Sequence, residues 1–343
     1  MESLNFGPGN QCGMTLVELV VAILISIVIL AAGFTALVTT EKASRANGQT
    51  VDTQQNARIA MDLIARDIRG AGMGMIGGIG ACPTAVVPAD QTPAGADSGS
   101  DTISLVTPTG SGTWTLSGAV GASGAGFSQL VLSGGAGGAV ANMQSMGMGT
   151  GSVLNIGGAV SGTVSALDVN AGTINLSNLV PPPATFPSGT SVYLLQCVTY
   201  SIGTTAAACG GGASPCLLRG GIPVVDGIEN IQFAYGCDGC VGAINGGVPD
   251  GVIDDQNGNN SFDQADFLTN SLWATGAATI KLVQISIVAR QLGGEQGFGE
   301  GPQAGVSSPP TLQVSDHAMN LAGTQQFRRR LLTRTIELRN ARL

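Results

Sequence analysis

Gly13-Met14-Thr15-Leu16-Val17-Glu18-Leu19 leads into residues 20–38, which are apolar or small, and no further charge appears before Glu41. About twenty apolar residues in a helix cross the hydrocarbon core of a bilayer, so the stretch reads as a membrane-spanning helix at about 19–40. Glu18 stands at its mouth, where a lone ionised side chain costs a few kcal/mol or more and therefore faces a partner rather than lipid. A cleaved secretory signal would have a basic start and a shorter apolar core, yet residues 1–13 contain Glu2 and no Lys or Arg.

The helical pattern continues past the apolar run. No proline occurs between Glu41 and Arg69, and Ile59, Leu63, Ile64 and Ile68 recur at helical spacing. Arg58, Asp62 and Arg66 stand four apart on another face, the spacing of stabilising ion pairs. These features predict one helix over 15–70, ended by the Gly70-Ala71-Gly72 exit. Beyond it, short alternating or β-branched runs at 102–106, 129–132, 152–156, 163–167 and 173–176 predict an antiparallel β region within a Gly-rich insertion of about 95–180. Residues 134–151 read equally as a surface loop. Stronger strands are expected at 191–201, 230–235, 281–290 and 330–339, with a Gly/Pro-rich loop at 294–310. Apolar residues alternate in Ile231-Gln232-Phe233-Ala234-Tyr235, as in a sheet that covers a helix with one face. The fold class is therefore α+β: a long N-terminal helix, membrane-spanning in its first half, packed on an antiparallel β-rich head with a Gly-rich insertion.

The Gly-Met-Thr-Leu-Val-Glu start followed by a long apolar helix resembles the signal of type IV prepilins and pseudopilins. The resemblance implies a leader of residues 1–13, cut after Gly13 by a prepilin peptidase, and methylation of the new N-terminus at Met14. It makes residues 14–70 the stalk helix, residues 71–343 the head, and Glu18 the assembly carboxylate that neutralises the terminal ammonium of a neighbouring subunit in lipid. Cys12 stands where such leaders commonly carry a basic residue. Residues 56–72, residues 227–236 and the C-terminal Arg-Arg-Leu-Leu-Thr-Arg-Thr-Ile-Glu-Leu-Arg-Asn are similar to PilW-type minor pilins and to the related J-type pseudopilin of type II secretion. The family implies a low-abundance subunit that joins other minor and major pilins and the inner-membrane assembly platform. It also implies a single-pass protein of the bacterial inner membrane whose head is exported to the periplasm and later reaches the pilus or cell surface. A pseudopilin, and a pilin whose insertion binds a surface or ligand, are the alternatives.

Composition agrees with an exported structural chain. Charged residues are only 10% of the 343, and the 53 glycines are about twice average usage. A net charge of -8 gives no general attraction to nucleic acid. Six of the fourteen basic residues fall within 328–342, where they suit a terminal strand whose charges protect an edge. Of seven cysteines, Cys12 leaves with the leader, and the remaining even number reads as a disulfide framework with fifteen possible pairings. Cys209 with Cys216 and Cys237 with Cys240 close short turn-rich loops, which leaves Cys82 with Cys197 as the long link. A zinc site built from Cys209, Cys216, Cys237 and Cys240 has poor spacing for known knuckles, and no βαβ pattern surrounds the Cys237 pair to suggest redox catalysis.

Residues 255–266 follow the pattern of a twelve-residue calcium loop. Asp255, Asn257, Asn259, Asp263 and Asp266 take positions 1, 3, 5, 9 and 12, and Ser261 takes position 7. Asn260 replaces the usual glycine at position 6, and Asp266 replaces the bidentate Glu at 12, so any Ca2+ site here is a weak one. Enzymatic chemistry has little support. His317 is the only histidine, expected on the surface or in a loop, and no nucleophile motif accompanies it.

Overall fold

The computed structural model describes residues 15–73, 75, 78–90, 99–121, 126–134, 138–180, 185–240, 248–269, 279–294, 311–321, 324 and 326–339. The expected leader, Gly13, Met14, parts of the Gly-rich insertion and residues 295–310 of the expected Gly/Pro loop lie outside the described residues. Two compact units are present, Met1–Val51 and Asp52–Leu343.

Helix α1 (Leu16–Gly70) has 55 residues. Its N-terminal part, with mean hydropathy 2.8 over the most apolar window, is the one described helix long and apolar enough to cross a membrane. The side chains there are exposed, from Leu16 at 79% to Leu37 at 67%, which in water would be unfavourable by about 25 cal/mol per Å2 of apolar surface. In the second unit the helix changes character. Thr53, Ala57, Met61, Ile64 and Ile68 are buried at intervals of three and four residues, with Ala60 beside them, one stripe of a helix facing a core. Small Ala57, Ala60 and Ala65 belong to the same buried core. The helix stops at Gly70 and Gly72 takes φ 73°, with its N–H donated to the carbonyl of Val106.

The strands follow as β1 (Val86–Ala89), β2 (Thr102–Thr115) and β3 (Phe127–Val131), then a short helix α2 (Ala139–Ser145), then β4 (Val153–Ile156), β5 (Val160–Asp168), β6 (Thr173–Val180) and β7 (Ser191–Gly203). After them come β8 (Cys216–Arg219), β9 (Ile222–Asp226), β10 (Ile228–Asp238), β11 (Thr279–Arg290), β12 (Thr311–Val314), β13 (His317–Asn320) and β14 (Arg329–Glu337). A nine-stranded sheet runs β1-β2-β7-β4-β5-β6-β3, with β8 and β9 continuing from β7; β10-β11-β14 form a second sheet and β12-β13 a hairpin. Every pairing is antiparallel.

Two main cores result. The first joins the buried stripe of α1 to Ile231, Phe233 and Tyr235 of β10, to Val283, Ile285 and Ile287 of β11, and to Tyr200 and Leu217. The second lies mostly within the insertion, with Trp114, Leu130, Met143, Leu154 and Ile174, and is joined by Val192 of β7.

Several expectations need correction. Residues 139–145, read as loop, form α2, because Val140 and Met143 are buried one helical turn apart in the second core. His317 is not on the surface: it lies in β13 and is 6% exposed. The alternation expected in β10 is present, with Ile231, Phe233 and Tyr235 in the helix core, and its other face is buried as well, Gln232 being 1% and Asn230 4% exposed. A polar layer covers that face: Gln232 donates to the Gly99 carbonyl at 2.8 Å, and Gln264 and Gln284 bond each other reciprocally at 2.8 Å. Strands β1, β8, β9, β12 and β13 were not anticipated; they are four or five residues long, too short to show a period.

Candidate functional site

Glu18 lies in the first turn of α1, and Thr15 immediately precedes it. The Thr15 N–H and hydroxyl both donate to Glu18 Oε2 at 3.3 Å, while the Glu18 N–H donates to Thr15 Oγ1 at 3.3 Å. This is a reciprocal capping box, which satisfies N–H groups that otherwise lack a partner at a helix start. The carboxylate also sits at the positive end of the helix dipole. Glu18 thus has a local role in addition to the one expected of it between subunits.

In the head, α1 is held to the sheets by a buried polar cluster. Tyr200 Oη donates to Asp67 Oδ2 at 2.6 Å, and Arg219 Nε donates to the same oxygen at 2.8 Å. Burial, reinforced by the Asp67 carboxylate, pushes the Tyr200 phenol well above its ordinary pKa, so it remains a donor. Asp62 does not complete the helix-surface ladder expected with Arg58 and Arg66; its carboxylate accepts from Arg334 of β14 at 2.9 Å. The C-terminal basic run is likewise only partly solvated. Arg329 is 7% exposed in its side chain and pairs with Glu229 at 2.6 Å, while Arg290 bonds the same carboxylate at 3.1 Å and stacks over Phe327. Among the described residues strand β14 pairs only with β11, at the edge of its sheet.

All three expected cysteine pairs are joined: Cys82 to Cys197 across 115 residues, Cys209 to Cys216 across 7 and Cys237 to Cys240 across 3. The long link ties the segment after α1 to the middle of β7, the strand that borders β2, β4 and β8.

The six residues expected to hold calcium share one loop, but its oxygens are engaged by its own donors. Asp255 accepts from Gly258 N at 2.6 Å and Asn260 N at 2.6 Å. Asp263 accepts from the Asn257 and Asn259 amides at 3.2 and 2.7 Å. Asn257 and Asn259 in turn accept from Asn259 N and Ser261 N. Asp266, 1% exposed, accepts from Gln256 N at 2.8 Å and Asp263 N at 2.6 Å. Asn260 takes φ 62°, the left-handed turn that position requires. Slight desolvation raises the Asp255 pKa, but backbone N–H groups, Gly258 first, outweigh it and leave it lowered. The Ala265 N–H and the Asn259 amide lower that of Asp263.

Sequence reading missed Asp254. It is 2% exposed, and its Oδ2 accepts from Cys240 N at 2.8 Å. With Cys237 and Cys240 it forms the one group, among the described residues, of three His, Cys, Asp or Glu side chains whose ligand atoms lie within 4.8 Å of one another. Only its place fourteen residues after Cys240, beside a loop already full of Asp, marks it in the sequence.

Comparison with known families places both ends of the chain. Residues 8–35 match the prokaryotic N-terminal methylation motif, and residues 203–340 match the Type IV Pilus-assembly protein W family. No curated protein and no solved structure matches the chain. The first match contains the Gly13 to Glu18 stretch and the apolar start of α1; the second contains β8 to β14, hence the sheet that packs on the buried stripe of the helix. Pilin domains of this kind are structural, and an apolar helix behind a prepilin motif is consistent with membrane anchoring. Methylation motif, long helix and a head similar to the assembly-protein family together support a PilW-type type IV pilin.

Proposed function

We propose that this protein is a minor pilin that takes part in the initiation and assembly of a type IV pilus and is a structural subunit rather than an enzyme. The observation that supports this most is the join between the two family matches: the helix that begins at the methylation motif ends as the buried stripe of the W-family head. A prepilin peptidase cuts after Gly13 and methylates Met14, leaving Glu18 as the charge that meets a neighbouring subunit in the inner membrane. The head is exported, and its partners are other minor and major pilins and the assembly platform. Mass spectrometry of membrane and filament fractions tests the reading. The expected N-terminus is methylated Met14, and an intact leader or a cut within the apolar run would sink it.

A second reading, a pilin that binds a surface or ligand, draws on the insertion. Its core is separate from the one on α1, and all of it lies outside both matched regions. Deletion of residues 95–180 separates the two: loss of piliation favours assembly, whereas intact pili with lost adhesion favour binding.

The loop at 255–266 belongs to the proposal as a weak Ca2+ site. Support comes from the left-handed Asn260 at position 6 and from the lowered pKa of Asp255 and Asp263, which keeps both ionised. Asp255, Asn257, Asn259, Ser261, Asp263 and Asp266 would hold the ion, supplying the oxygen-only shell that calcium favours.

A further inference from the structure

Around the turn that follows β10, two buried carboxylates have unlike surroundings. Asp238 is fully engaged: its side chain accepts from Asp250 N at 2.9 Å and Gly251 N at 3.0 Å and pairs with Lys281 at 3.3 Å. Asp254 has one oxygen on Cys240 N, while its Oδ1 is buried with no hydrogen-bond partner. A buried carboxylate oxygen without a donor costs free energy that native structures seldom leave uncompensated. The side chains placed against this one are those of Cys237, 1% exposed, and Cys240, 0% exposed.

The backbone holds this arrangement from both sides. Asp254 N donates to the Cys237 carbonyl at 2.8 Å, so the carboxylate is returned to the Cys237 turn by main chain as well as by its own side chain. Gly239 takes φ 83°, and a Cβ there would lie 2.8 Å from Pro249; the tight turn between the cysteines therefore needs glycine. The two sulfurs and one carboxylate oxygen lie within 4.8 Å of one another, so that once the sulfurs are no longer bonded to each other a single ion could reach all three, with metal–sulfur and metal–oxygen bonds of about 2.3 and 2.1 Å.

We propose that the dithiol form of this site binds a divalent cation of the zinc class through Cys237 Sγ, Cys240 Sγ and Asp254 Oδ1, with water in the fourth position. The disulfide and the metal-bound dithiol are then two alternative closures of one turn. The dithiol is the form in which cysteines are synthesised, so loading needs no reductant. The ion displaces one proton from each thiol, and the two thiolates and the carboxylate surround it. The mixed sulfur and oxygen set suits zinc better than copper(I), which favours sulfur alone. Cys209 and Cys216, joined to each other, take no part.

The test uses the full-length chain in detergent, produced and kept under reductant with ZnCl2 supplied, and compared with the same protein after chelation. Zinc is expected to protect Cys237 and Cys240 from alkylation, as read by peptide mapping, without changing the labelling of Cys209 and Cys216. Asp254→Asn should weaken Zn2+ binding by at least about tenfold, whereas Asp168→Asn at the end of β5 should leave it unchanged. Labelling of Cys237 and Cys240 that is indifferent to zinc would overturn the proposal, as would an Asp254→Asn protein that binds as tightly as the parent. Since the protection experiment needs no substitution, it decides the matter even if the Asp254 variant does not fold.

Discussion

Tyr200 of β7 and Asp67 of α1 share a buried hydrogen bond of 2.6 Å across 133 residues of sequence, and the same carboxylate receives Arg219 from β8. The last turns of the helix are thereby tied to the large sheet by a polar cluster, while the apolar stripe beside it packs on the β10-β11-β14 sheet. Such a cluster stabilises only when complete, because each buried partner is costly to strand.

Tyr200→Phe keeps the ring and removes one donor from Asp67, leaving the half-buried Arg219 as its partner on the sheet. The expected loss is about 1–3 kcal/mol, read as a lower denaturant midpoint at unchanged slope. Arg219→Ala should cost at least as much, and a double-variant cycle should reveal coupling between the two.

Thr15 and Glu18 let capping be separated from assembly. Thr15→Ala breaks the capping box at about 1 kcal/mol but retains the carboxylate, whereas Glu18→Ala removes the charge. Membrane insertion should survive both, and incorporation into filaments should fail only for Glu18→Ala. Equal behaviour of the two variants in a pull-down of assembled pili would reduce Glu18 to a cap.

The disulfides should differ in worth. In the chain-entropy account the stabilisation grows as 1.5RT times the logarithm of loop length, so replacing Cys82–Cys197 should cost about 2.5 kcal/mol more than replacing Cys209–Cys216, whose separations are 115 and 7 residues. Thermal unfolding of the two Cys→Ser pairs checks the order.

Calcium and pH should act on one loop. The folded pKa values of Asp255 and Asp263 are lowered, so the order these groups confer is present above the ordinary carboxylate range and is lost as pH falls through the lowered values. Hydrogen-exchange protection of residues 255–266, corrected for intrinsic rates, should fall accordingly. Millimolar Ca2+ should raise the Tm relative to chelator, by the linkage of binding to the folded state, and Asp255→Ala should abolish the difference. Equal melting in both buffers would leave an ordinary acidic turn.

What one dimension could carry was whatever depends on local order. The apolar run behind Gly13-Met14-Thr15-Leu16-Val17-Glu18 marks a helix long and apolar enough to cross a membrane and a prepilin methylation motif, because hydrophobic length and a misplaced charge are properties of a contiguous segment. The 3.6-residue stripe from Ala57 to Ile68 and the longer strands were legible for the same reason, and loop length pointed to Cys209–Cys216 and Cys237–Cys240. Only tertiary structure decided that Gln232 and Asn230 are buried, since burial of a strand's second face depends on which segment covers it. Only tertiary structure turned Arg329 inward to Glu229 and joined Asp62 to Arg334 across 272 residues. It also set the unpartnered oxygen of Asp254 against two cysteines of another segment, because the energy of a buried polar group is fixed by neighbours that sequence distance does not name.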